Sequence, residues 1–113
     1  MRVLMLVCRD ETIPIPPEVR GNIGRDVQAW VEEMESRGIR LQGEVLAPVD
    51  ATATVSVRGD ELSVARGPRV ELAAPASGFN LLDCADLDEA IEVSARHPIA
   101  RYGVIELRPF ADG

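Results

Sequence analysis

The chain has 113 residues, of which 46% are hydrophobic and 27% charged, a globular composition that excludes a disordered chain and fits one domain spanning residues 1–113. Its net charge of -7 repels a phosphate backbone, and its 12 basic residues, all arginine, are scattered instead of gathered in a stripe, so no nucleic-acid partner is expected. Without lysine there is no Schiff-base chemistry.

The opening MRVLMLVCRD holds an apolar run from Val3 to Cys8 before Arg9 and Asp10. That run is the length of a buried central strand and too short for a signal-peptide core or membrane span, so a cytoplasmic protein with no membrane contact is expected. Cys8 and the second cysteine, Cys84, both end strand-like runs; free buried thiols are expected, and no metal spacing involves either. IPIPPE, residues 13–18, predicts a rigid loop, because proline fixes φ and lacks an amide proton.

Ile23, Val27, Trp30, Val31 and Met34 form one helical stripe, and Gly38 supplies a stop, which predicts a helix over about 22–37. IRLQGEVLAP reads as a strand ended by Pro48. ATATVSV and ELSVARG flank Gly59-Asp60, predicting a hairpin over 51–66. After Gly67-Pro68 an apolar loop, VELAAPA, leads to the strand SGFNLLDC. Asp86 with Glu89 three residues on marks a helix start. Leu87, Ala90, Ile91 and Ala95 are expected as its inward stripe, with Ser94 beside them. Pro98 stops that helix, and YGVIELRP is a last alternating strand.

The order β, α, β, hairpin, β, α, β predicts an α+β sheet with two helices on one face and an added β-hairpin, similar to a ferredoxin-like fold. Two helices shield only one face of such a sheet. A second copy packed face to face is the simplest cover, so a homodimer is expected.

The blocks SRGIRLQGEVLAP, TATVSVRGDELSVARGP and SGFNLLDCADLDEAIEVSARHPIARYGVIELRP resemble the YCII-related proteins of the DGPF type. The resemblance runs nearly the whole chain and implies a small bacterial dimeric α+β barrel. The motif that names the type, Asp-Gly-Pro-Phe, stands here as Arg66-Gly67-Pro68-Arg69. The histidine that relatives often carry on the first helix falls on Val27. Relatives in the wider superfamily include lactone-processing enzymes, while most have no assigned reaction, so the resemblance implies a site of altered or lost activity.

Several residues are candidates for chemistry. His97, the one histidine, is either an acid/base group or a helix-terminal residue interacting with the carbonyl end of the helix dipole. Asp83 is either a general base raised by desolvation or a turn residue whose carboxylate accepts amide protons. Arg9 just past the first strand suits a carboxylate or lactone oxygen, and Arg66 and Arg69 flank the Gly-Pro turn as further anion contacts. No metal site and no cofactor are expected. Three functions follow: a binder of a small, partly apolar molecule in a pocket between sheet and helices lined by Val27, Trp30, Phe79 and Leu81; a lactone isomerase, dehydratase or dehalogenase using His97 or Asp83; or a structural subunit.

Overall fold

The computed structural model describes residues 1–112. The elements run β1 (Arg2–Arg9), α1 (Pro17–Arg20), α2 (Ile23–Ser36), β2 (Arg40–Val45), β3 (Ala53–Arg58), β4 (Glu61–Arg66), β5 (Ala76–Asp83), α3 (Leu87–Ala95) and β6 (Gly103–Pro109), with single 3-10 turns at Val49–Ala51 and Pro98–Tyr102. Four strands form an antiparallel sheet in the order β2-β5-β1-β6, and β3 pairs only with β4. The architecture is α+β, with the hairpin as a second, two-stranded sheet.

Strand β1 alternates from Val3 to Val7. Val3, Met5 and Val7 are buried, and Leu4 and Leu6 between them are half-buried, because successive side chains of a strand leave opposite faces. Within one chain the helices cover one face of β1 and leave the other open. On the covered face the register sets Val3 against Leu82 and Met5 against Asn80, and Trp30 and Met34 of α2 share this core with Ala90 and Val93 of α3. The indole Nε1–H of Trp30 donates to the Val93 carbonyl at 2.9 Å, joining the two helices. On the open face, Leu4 stands against Leu81 and Leu6 against Phe79.

Two local expectations need adjusting. Helix α1 begins inside the proline-rich stretch, at Pro17; proline at the first helical position loses no hydrogen bond, since that amide has no intrahelical partner. In α3 the buried residues are Ala90, Val93 and Ser94, while Leu87, Ile91 and Ala95 are exposed. The pattern offers two adjacent apolar stripes, and packing against Trp30 selects the one containing Val93. The capping pair is as read: the Glu89 amide donates to Asp86 Oδ1 at 2.8 Å, and the Ala85 amide to Glu89 Oε1 at 2.8 Å.

A polar group bridges α2 and the sheet. Arg40 donates from Nε to Asn80 Oδ1 at 2.8 Å and lies 3.5 Å from the Glu35 carboxylate. Gly43 is opposite Asn80, and a Cβ there would run into Asn80 Oδ1, Arg40 Nη2 and the Phe79 carbonyl. Glycine is required at this point by the close approach of side chains across the strand.

Candidate functional site

One end of the four-stranded sheet opens into a cleft. There β1 ends at Arg9, β2 ends at Val45 and β5 begins at Ala76, and the segments 46–50 and 72–77 fold over the strand ends. Between them lies a cleft of about 630 Å³, walled by Leu46, Val49, Leu72 and Pro75, with Arg9, Glu11, Asp50 and Ser77 as its polar groups. A volume of this size accommodates a small organic molecule.

The Arg9 guanidinium is held by main-chain acceptors. Its Nη1 donates to the Tyr102 carbonyl at 2.9 Å and to the Asp10 carbonyl. Asp10 in turn accepts from the Thr12 hydroxyl at 2.6 Å and the Thr12 amide at 2.9 Å, and these bonds, aided by the Arg9 charge, hold its carboxyl below the usual range. Among the described residues no carboxylate lies within ion-pair distance of Arg9. The cation is therefore fixed in place with its charge uncompensated by a direct partner, which suits it to an incoming oxygen anion.

A second cavity of about 430 Å³ adjoins the first across Val49, Asp50, Leu72 and Pro75, and includes Arg66, Gly67, Pro68 and Glu71. The apolar loop noted in the sequence is thus the partition between two cavities. Arg66 lines the second; Arg69 is exposed in the same loop and lines neither.

His97 lies elsewhere. It is 4% exposed, its ring meets that of Trp30 edge to face with centroids 4.8 Å apart, and its Nδ1 accepts the Ile99 amide proton at 3.1 Å. Nδ1 as acceptor puts the neutral ring's proton on Nε2. Burial lowers its pKa from 6.5 to about 4, so the ring is neutral at pH 7. It lines none of the cavities at the sheet ends.

Asp83 stands at the far end of β5, paired with Arg2, whereas Ala76 at the near end is opposite Cys8. Its half-exposed carboxylate is 3.7 Å from the Met1 amino group. The length of β1, roughly 25 Å at the rise of a strand, separates Asp83 from Arg9. The four residues expected to line one pocket are divided by the sheet: Trp30 is in the helix-side core with Val27 half-buried on the same helix, while Phe79 and Leu81 are on the open face. None of the four lines a cavity described for the chain, including the one of about 220 Å³ between α3 and β6.

Cys8 and Cys84 are free and buried, and burial raises both thiols. No cluster of His, Cys, Asp and Glu among the described residues is placed to hold a metal ion, and no helix among them is long and apolar enough to cross a membrane. Sequence reasoning did not single out Ser77, Glu11, Asp50 or the wall Leu46–Val49. The proline at 48 and the apolar run 70–76 were the available signals, since both keep irregular chain beside a strand end.

A family model for the YCII-related domain matches residues 1–112. The chain belongs to that family. This YCII-related chain is also 39% identical over 70 residues to an uncharacterized protein of Rhizobium meliloti (strain 1021), a match that takes in 58% of the chain and 55% of that relative. The chain therefore matches little more than half the length of that curated relative.

Proposed function

We propose that this YCII-related protein binds a small, partly apolar molecule with one acidic or carbonyl oxygen end in the cleft at the sheet end, with Arg9 holding that oxygen. The observation that carries the reading is Arg9 itself: a guanidinium fixed by two backbone carbonyls, with no carboxylate partner among the described residues, at an apolar cleft. Glu11 and Asp50 at the same cleft disfavour a second negative charge on the ligand. Leu46, Val49 and Leu72 supply the apolar wall. Arg66 in the adjoining cavity is a second contact for a longer molecule.

The working unit in this reading is a homodimer of one-domain chains. The strand order β2-β5-β1-β6 supports a ferredoxin-like sheet, and Leu4, Leu6, Phe79 and Leu81 on its open face support a second copy packed against it. Binding requires no acid–base role for His97, which is buried and neutral.

An amide-detected NMR titration with 4-phenylbutyrate tests the site. Saturable shifts at Arg9, Leu46, Leu72 and Ser77 are expected. Shifts confined to other residues, or none, would remove the cleft as the site.

A further inference from the structure

The hairpin is the least explained part of the chain. Register places Val55 against Val64 and Val57 against Leu62, so four large aliphatic side chains share one face of it. They are 62%, 49%, 54% and 64% exposed. A lone two-stranded hairpin is marginal in water, and its turn, with Gly59 at φ 61, does nothing to bury that face. The radius of gyration is 16.0 Å, against roughly 13 Å for a compact chain of this length, and the molecule is only 18 Å thick. The hairpin projects as an arm from a thin slab.

We infer that the apolar face of this arm packs on a second copy of the chain, at the start of the partner's β6, beside the partner's Arg9 cleft. The inference rests on the face-to-face pairing of sheets proposed above and goes beyond it. Four strands spaced about 4.8 Å apart and about 25 Å long present roughly 500 Å² of face, short of the roughly 800 Å² each partner of a stable interface buries. An arm of two six-residue strands adds roughly 200 Å², which brings each partner to roughly 700 Å², inside the roughly 600–1,000 Å² range of stable interfaces.

Topology gives the seat. The two edges of the sheet are β2 and β6, and the arm leaves from the Val45 end of β2. A two-fold axis parallel to the strands lays β2 of one copy over β6 of the other and keeps both strand directions. Val45, Ala76, Arg9 and Gly103 all mark one end of the sheet, so each arm arrives at the partner's Gly103 and Val104. Val104 is opposite Cys8 on the open face and is 55% exposed. An axis across the strands would instead bring each arm to the polar Arg40 end of β2, a poor match for four aliphatic side chains.

Sedimentation equilibrium on the full chain tests this with three variants: Val57→Asp combined with Leu62→Asp on the arm, Val104→Asp at the seat, and Leu6→Arg on the sheet face. The arm and seat variants are expected to keep their circular dichroism and to dimerise at least about 10-fold more weakly. In the wild-type dimer, isotope-filtered NOEs are expected between Leu62 methyls of one copy and Val104 methyls of the other. If the arm variant dimerises as tightly as wild type while Leu6→Arg dissociates, the arm proposal falls and the paired sheets stand. A wild-type chain that stays monomeric at about 100 µM overturns both, and the arm then serves some other partner.

Discussion

The imidazole of His97 meets the indole of Trp30 edge to face, 4.8 Å between centroids at 69°, and so closes the core at the point where α3 ends. Nothing charged among the described residues compensates it there, and burial alone lowers its pKa from 6.5 to about 4.

Stability should therefore depend on pH through this residue. Between pH 6.5 and about 4 the unfolded chain binds a proton that the folded chain does not, so the contribution is complete above 6.5 and is lost as pH falls toward 4. The shift corresponds to about 3 kcal/mol as an order of magnitude. Urea denaturation from pH 4 to 7 should show wild-type stability falling more steeply toward acid than that of His97→Gln. Parallel curves would show that His97 does not titrate with unfolding.

Trp30→Phe keeps the ring in the core but removes the donor to the Val93 carbonyl. The Val93 carbonyl still accepts from the Arg96 amide at 3.3 Å, so the loss is that of one hydrogen bond, about 0.5–1.5 kcal/mol, and urea denaturation should register a loss of that size. An unchanged midpoint would mean that the bond between α2 and α3 adds nothing.

Gly43→Ala places a methyl group where Asn80, Arg40 and the Phe79 carbonyl converge. The expected loss is about 1–3 kcal/mol, with the β2 amides the first to lose protection in hydrogen exchange. A neutral substitution would show that Arg40 and Asn80 move aside freely.

Asp86→Ala removes the side-chain acceptor for the Glu89 amide and should cost about 1 kcal/mol in thermal or urea denaturation. Asp86→Asn, which retains an acceptor, should recover most of it.

Much of this fold was legible in the chain because its signals are local. The apolar run Val3–Cys8, the Asp86–Glu89 pair and Gly59-Asp60 in the hairpin act within a few residues, and each element formed where its pattern lay. Leu87, Ile91 and Ala95 misled because α3 carries two neighbouring apolar stripes, and only the position of Trp30, 63 residues away in sequence from Val93, decides between them. The cleft was less legible for a similar reason. Arg9 was a candidate from its place after β1, yet its walls come from segments 46–50 and 72–77, which register brings to one strand end. Val27 and Trp30 were grouped with Phe79 and Leu81 because residue type does not reveal which face of the sheet a side chain meets.

The most direct measurement is the affinity of the full chain for 4-phenylbutyrate and for its uncharged analogue 4-phenylbutanol, by calorimetry, in wild type and in Arg9→Gln. If Arg9 holds the acidic end, wild type should prefer the carboxylate by about 10-fold or more, as a charge-assisted bond of about 1.5–3 kcal/mol gives. Arg9→Gln should erase that preference while binding the alcohol as before. Equal affinities in the wild type, or a preference that survives Arg9→Gln, would contradict it.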